Sequence, residues 1–576
     1  MRRSVLGIFV IALAFVAASW GAAQTAPADL VLNNGTIITV DARDSVAEAI
    51  AITGNKIVTV GSNAQIKPFI GEKTQVIDLH GRTATPGLID THVHFSEAAD
   101  VLDLGDPSIK NMADVIARVK AWADKLPPGQ GVRGVGWDEG KLAERRYITA
   151  VDLDKAAPDR PVYLTHTTGH YGVANSMAMK LANITRDTKD PPAGTIDRDK
   201  DGSPTGVFKE AATGMVSRVV GNSGPRESQE AQVLRIVAGF NREGMTGAKD
   251  LNIGQAKWDL YKRLLDEGKL TVRVAALWQG GRTVNSVQNA LQQMAPLPKA
   301  PQSVGDGRLV LEGLKLYIDG SGGARTAWMY EDWNKDWTGI DTGNPGYPTT
   351  PPEIYRQQVK LITEAGWSVG THAIGDRGID VVVDAYKDAL EATGKKGLRH
   401  SIIHGNTPSD HAIDTMAYLQ KTFDAGYPEE QAPFMWWIGD TYAGNLGPKR
   451  AGRLEPLATF LKKGVMWAGG SDYSVTPYAG RYGLWASVAR KTLNATYGAT
   501  PFGTAESVNI HIALKSYTIW AAHQLFLEDR VGSLEAGKDA DIAVWDKDMY
   551  MVPTDAIKDL KCEMTLVAGK IVFQNR

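Results

Sequence analysis

The 576-residue sequence predicts an α/β protein: a parallel sheet or βα barrel, with a separate β domain built from both chain ends. Three observations carry that prediction. Glycine-punctuated apolar strands alternate with helical stretches through the middle of the chain. The segments 28–78 and 531–573 instead read as short strands joined by tight turns. Metal-ligand-type side chains also recur at the ends of the central strands, and the C-terminal ends of barrel strands share one mouth.

The first central strand is the most informative. Pro86-Gly87-Leu88-Ile89-Asp90-Thr91-His92-Val93-His94 leads from a turn into two histidines one residue apart. Side chains alternate faces along a strand, so His92 and His94 project together, with Cα atoms roughly 7 Å apart at about 3.3 Å per residue. Two such imidazoles can converge on one metal ion. An isolated pair would more simply be the wet face of a half-buried strand, so the weight falls on what the rest of the chain adds.

Strands are predicted at 87–95, 244–250, 272–278, 309–319, 367–372, 398–404 and 464–472. An eighth falls between 414 and 437, blurred by Gly426-Tyr427-Pro428. Helical periodicity marks 112–126, 230–243, 354–365 and 381–392. The interruption at about 97–229 is richer in loops; placed after the first strand, it reads as a lid or substrate-binding subdomain over the C-terminal face. In the β segments, Asn34-Gly35 gives a hairpin signal at 29–40, and 50–61 repeats the pattern. The turn and strand at 531–546 and the closing hairpin at 566–573 supply the partner. The domains are then β at 28–85, a central unit at 86–526 and β again at 527–576.

Composition excludes some functions. The chain carries 63 basic and 65 acidic residues, a net charge of −2, and no basic run with interleaved aromatics. A nucleic-acid partner is therefore not expected. Residues 1–23 read as an export signal: Arg2 and Arg3, an apolar stretch from Val5 to Ala18, then Gly21-Ala22-Ala23. That stretch is shorter than the roughly 20 residues that span a bilayer, so the expectation is cleavage near Ala23, a periplasmic or secreted protein, and no stable membrane insertion afterwards. The single Cys562 excludes an internal disulfide and reads as a buried small hydrophobe.

Beyond the first pair, Lys315, His372, His404 and Asp472 stand at strand ends. Singly, each histidine reads as well as a buried side chain bonded to backbone, and Asp472 as a helix cap. Lys315 is the unusual one, because a lysine amid an apolar strand is costly unless paired or modified. Together, four imidazoles, a carboxylate and such a lysine make one coherent site. His170 is a further candidate from the lid, although a packed loop histidine explains it nearly as well. His80, His166, His400, His411, His511 and His523 are assigned to structure or surface. Trp137, Tyr171, Trp328 and Trp436 are candidates for an aromatic pocket, with core packing the equal alternative among 15 tryptophans.

The sequence resembles the amidohydrolase superfamily, specifically the type 3 (YtcJ-like) members. Pro-Gly-Leu-Ile-Asp-x-His-x-His at 86–94 is similar to its first-strand signature, and Gly532–Val544 to its closing one. Closer to type 3 are Lys315 to Ser321, Ala324-Arg325-Thr326, His372 to Arg377, Gly169-His170 and Pro204 to Glu210. Ile403 departs from the Glu that many relatives carry there.

The resemblance implies a distorted TIM-type (β/α)8 barrel, with the chain-end strands as a discontinuous β-sandwich. It implies one or two divalent metals, commonly zinc: His92, His94 and Asp472 on the buried one, His372 and His404 on the second. Lys315, carboxylated by CO2, would bridge them. The implied activity is hydrolysis of a carbon–nitrogen bond, a non-peptide amide or formamide, in a small-molecule substrate. Metal-activated hydroxide attacks, Asp472 shuttles the proton and His170 steadies the oxyanion. The alternatives are a mononuclear deaminase of the same superfamily and a non-catalytic exported binding protein. A homodimer is the default assembly.

Overall fold

A computed structural model describes residues 26–96, 101–221, 227–333, 344–495 and 503–575. The expected signal at 1–23 lies outside them. Among the described residues no helix is long and apolar enough to cross a membrane.

Eight parallel strands, with the short antiparallel strand Ser303–Val304 beside the fourth, form the central sheet. They are β1 (Leu88–Val93), β2 (Met245–Ile253), β3 (Arg273–Gln279), β4 (Leu309–Tyr317), β5 (Ser368–Ala373), β6 (Ser401–His404), β7 (Tyr427–Glu430) and β8 (Ala468–Gly469). Each pairs with the next in order. The ring closes between β8 and β1 through a single bridge, Val93 to Tyr473. There Asp472 N–H donates to His92 O and His94 N–H to Tyr473 O, both at 2.8 Å. The result is a TIM-type barrel, nearly continuous around its circumference.

The outer helices follow from local signals. Gln229–Arg242 starts where Ser228 accepts from Ala231 N–H, and it buries Val233, Ile236, Val237 and Phe240 along one face. Asp376–Thr393 begins well before the expected 381, directly after β5, and stops at Gly394 in the left-handed region.

One strand expectation needs correction and one is now located. The 464–472 run forms only the two residues of β8. Gly464 instead caps the helix Leu457–Lys463 with φ +73°, and Asp472 itself is left-handed at φ +52°. The blurred eighth strand is β7, Tyr-Pro-Glu-Glu, whose residues are all buried.

Both chain ends build two further sheets. One pairs Lys56–Gly61, Ala49–Thr53, Leu30–Asn33 and Gln75–Asp78; the other runs Lys570–Gln574, Cys562–Val567, Ile542–Trp545, Thr83–Pro86, Thr36–Ile38 and Val46–Ala47. Leu30, Ile37, Ile50, Ile542 and Leu566 share one core between them. The Asn34-Gly35 hairpin is absent: its two arms lie in different sheets. A type I′ turn needs positive φ at both centres, but only Asn34 has it. Gly35 serves a close approach instead, since a Cβ there would stand 2.4 Å from Leu79 Cδ1. Residues 50–61 and 562–574 do form hairpins.

The segment between β1 and β2 is more regular than its composition suggests. It folds as a six-stranded sheet, ordered Gly194–Arg198, Pro204–Glu210, Tyr171–Ala174, Val162–His166, Val132–Trp137 and Leu102–Asp103. Helices Met112–Ala123 and Ala150–Ala156 pack their apolar faces into its cores.

Candidate active site

The C-terminal ends of β1, β4, β5, β6 and β8 face one cavity of about 900 Å³. His92, His94, Lys315, His372, His404 and Asp472 all line it, with His170 and Glu210 from the inserted sheet. Residues 380 positions apart thus meet at one mouth.

The innermost cluster is His92, His94 and Asp472. Asp472 Oδ1 lies 3.1 Å from His92 Nε2 and 3.3 Å from His94 Nε2. Their ligand atoms fall within 4.8 Å of one another, a spacing one ion can bridge. Asp90 sets this register: its Oδ1 accepts from His92 N–H and Ser471 N–H, each at 3.0 Å, tying β1 to the end of β8. Burial pushes the Asp90 carboxyl up to about 7.

His372 and His404 form a second pair, rings 4.5 Å apart, with His404 also 4.9 Å from His92. Their outer hydrogen bonds fix which nitrogen is free. His372 Nε2 lies 2.9 Å from Gly320 O, an atom that only accepts, so Nε2 carries the proton and Nδ1 keeps its lone pair. His404 is the opposite case. Its Nδ1 donates to Gln431 Oε1 at 2.6 Å, while Gln431 Nε2 donates to Glu429 O and fixes the amide. Burial first, then neighbouring cationic groups, holds both imidazoles well below the ordinary 6.5. Burial likewise lowers His92 to about 4. Neutral imidazoles are the metal-binding form.

Lys315 is 1% exposed beneath these rings. Burial lowers its amine to about 7. Below it the barrel interior is ionic: Lys249 of β2 bonds Glu429 of β7 and lies 3.4 Å from Glu312 of β4. Asp472 is the counter-charge above. Burial alone would raise its carboxyl, yet His92, with further help from His94 and His404, carries it well below the ordinary range.

His170 reaches the cavity from the inserted sheet. Glu210 orients it, with Oε1 and Oε2 3.0 and 3.1 Å from Nδ1, and Thr326 Oγ1 donates to the same carboxylate at 2.6 Å. Burial opposes the imidazolium, but Glu210 outweighs it and the His170 pKa rises. Asp319 holds the turn after β5 by accepting from Trp328, Ile374 and Gly375 N–H. Glu210 and Asp319 belong to sequence motifs noted above, though nothing there assigned them a role. Gln431 carried no such signal.

The four aromatics proposed for a substrate pocket do not line this cavity. Trp137 and Tyr171 sit in the core of the inserted sheet, and Trp436 packs on Tyr482. Their apolar area serves packing. His166 forms a second buried group with Asp138 and Glu139. Thr168 N–H donates to its Nδ1, which places the proton on Nε2, facing the carboxylates. That is a buried ion cluster, with Nε2 3.4 Å from Glu139 Oε2 and 3.9 Å from Asp138 Oδ1.

A TIM-type barrel whose mouth gathers neutral imidazoles, a buried lysine and an aspartate is the architecture of a metal-dependent hydrolase. Residues 75–573 match the amidohydrolase family, and the chain belongs to it. It is an enzyme, a hydrolase acting on carbon–nitrogen bonds other than peptide bonds. The chain is 28% identical to an N-substituted formamide deformylase of Arthrobacter pascens, over 95% of this chain and 98% of that one. It is 26% identical to YtcJ of Bacillus subtilis, over 94% and 99% respectively. In fold it is similar to an uncharacterized metal-dependent hydrolase from Pyrococcus horikoshii, with TM-score 0.66 and 23% identity, covering 91% of this chain and 99% of that one.

Proposed function

We propose that the protein is an exported hydrolase of a non-peptide amide or formamide, with His92, His94 and Asp472 holding one divalent metal, zinc by the donor set, and His372 and His404 a second. The observation that carries this reading is the convergence of His92 Nε2 and His94 Nε2 on Asp472 Oδ1 inside the cavity. Lys315 joins the two groups as a carbamate. Its amine, lowered to about 7 by burial, offers a neutral lone pair to CO2, forming an N–C bond and releasing one proton. The resulting anion suits a pocket otherwise rich in imidazole.

When bound, such a metal polarises the carbonyl and lowers the pKa of water from 15.7 to about 7. The remaining work falls to the chain. Asp472 Oδ1, kept ionised, accepts the attacking water's proton and delivers it to the departing nitrogen. His170, held as imidazolium by Glu210, presents Nε2–H to the carbonyl oxygen as negative charge develops there. The inserted sheet covers the mouth with Thr167 to His170 and Ala193, restricting water. The formamide deformylase relative supports a formamide among the substrates. Metal analysis with turnover of N-substituted formamides by wild type and Asp472→Ala tests the reading. Full activity in Asp472→Ala removes the mechanism.

A further inference from the structure

One charged side chain on the cavity wall has no part in the chemistry above. Arg282 lines the cavity on the short loop after β3 and is exposed to solvent there. Among the described residues it has no carboxylate partner, whereas the other charged residues of the wall are engaged: Glu210 with His170, and Asp472 and Lys315 within the ligand cluster. It shares the cavity lining with His170 and Glu210, and its charge is felt at both. The lining also includes the neutral Pro192, Ala193, Ala211, Pro348 and Pro351.

The guanidinium is also held in place. Its Nη1 donates to Thr349 O at 3.3 Å, and its Cζ lies over the Tyr317 ring, 5.3 Å from the centroid. The loop beneath is pinned to the site: Gly280 N–H donates to Lys315 O at 3.0 Å, and Ser286 Oγ to Gly280 O at 2.7 Å. Gln358 Nε2 donates to Thr283 O at 2.9 Å. A solvated surface arginine needs none of this. A fixed guanidinium with its remaining N–H groups uncommitted matches a carboxylate in bidentate geometry.

We propose that Arg282 determines specificity by binding the carboxylate of an N-formylated or N-acylated amino acid whose amide carbonyl lies at the His92–Asp472 cluster. The inference rests on the hydrolytic reading above and narrows it to an anionic substrate. The amide C–N bond breaks, water's oxygen joins the acyl carbon and a proton goes to nitrogen. The products are a carboxylic acid and a free amino acid, the latter still paired with Arg282.

The test compares N-formylphenylalanine with N-formyl-2-phenylethylamine, which differ only in the carboxylate, on metal-loaded wild type, Arg282→Met and Arg282→Lys. Wild type should favour the acid by about tenfold or more in kcat/KM, chiefly through KM, as expected for a charge-assisted pair. Arg282→Met should bring the ratio to within about threefold of one, and Arg282→Lys should fall between. Equal use of both probes by wild type, or an unchanged ratio in Arg282→Met, overturns the proposal. If neither probe is turned over, the formamide reading fails on its own. Calorimetric binding of the same pair then decides the inference: tighter binding of the acid that is lost in Arg282→Met supports it, and equal binding overturns it.

Discussion

Arg273, at the start of β3, grips Asp541 of the closing β segment through two parallel hydrogen bonds, Nε to Oδ2 at 2.7 Å and Nη2 to Oδ1 at 2.9 Å. Both side chains are almost wholly buried, and Asp539 adds a third contact at 3.0 Å. Asp541 Oδ1 also accepts Ala568 N–H, so one carboxylate ties the barrel floor to the final hairpin. Asp541→Ala should cost about 3–5 kcal/mol, because it strands a buried guanidinium and an amide. Thermal unfolding checks it; a shift within error would mean that Asp539 alone suffices. The double variant Arg273→Met/Asp541→Leu should lose less than Asp541→Ala.

Metal content should separate the ligand roles. His92→Ala and Lys315→Ala should each bind less metal than wild type, with far-UV circular dichroism unchanged, since the barrel does not rest on them. Elemental analysis after dialysis reads this directly. Unaltered stoichiometry in both would remove these side chains from the ligand set. Mass spectrometry under CO2 should find the added carboxylate on Lys315 in wild type and lose it in Lys315→Ala.

Glu210→Gln keeps the shape but removes the charge that holds His170 as imidazolium. Turnover should fall by about a hundredfold, the scale of losing one oxyanion donor, while bound metal stays constant. Its pH profile should also lose activity at a lower pH than wild type, because the His170 pKa is no longer raised. Identical profiles would reduce Glu210 to packing.

A pH effect on stability is expected at the barrel base, where Arg399, Asp424, His523 and Glu528 form one ion-pair cluster. Burial would raise Glu528, but His523 and Arg399 hold it at about 2 against an ordinary 4.5. Its contribution is therefore complete above 4.5 and lost as pH falls toward 2. His523 runs the other way. Burial lowers it, yet Asp424 and Glu528 raise it above 6.5, so its contribution is complete below 6.5 and lost as pH rises past the raised value. Melting temperatures of wild type and His523→Gln should differ most between about pH 4.5 and 6.5 and converge in alkaline buffer. A constant gap would mean that the imidazolium contributes nothing.

Export is tested by expression of the full chain in a Gram-negative host. The mature protein should appear in the periplasm with its N-terminus just after Ala23. Recovery of only an uncleaved cytoplasmic chain would reject it.

Much of the site was legible because its ligand-type residues are chemically conspicuous: paired histidines on a strand, and a lysine where apolar residues surround it. The barrel strands were legible for a similar reason, as apolar runs closed by glycine. What stayed blurred or escaped notice has no pattern of its own. β7 is Tyr-Pro-Glu-Glu, polar in sequence yet buried, because Lys249 neutralises Glu429 from across the barrel. The groups that fix the His372 and His404 tautomers are a backbone carbonyl and one glutamine amide, neither distinguishable along a chain. The Asn34-Gly35 turn misled for the converse reason, a local signal overruled by packing against Leu79.

The strand Thr83–Pro86 is shared between two parts of the molecule. It pairs with Ile542–Trp545 on one side and, one residue on, becomes β1 with its two histidines. On the ribosome, that segment emerges some 450 residues before its neighbour exists. The reaction centre therefore acquires its supporting framework only in the last moments of synthesis, and an early stop codon near the end of the gene would silence chemistry whose own residues had all been made.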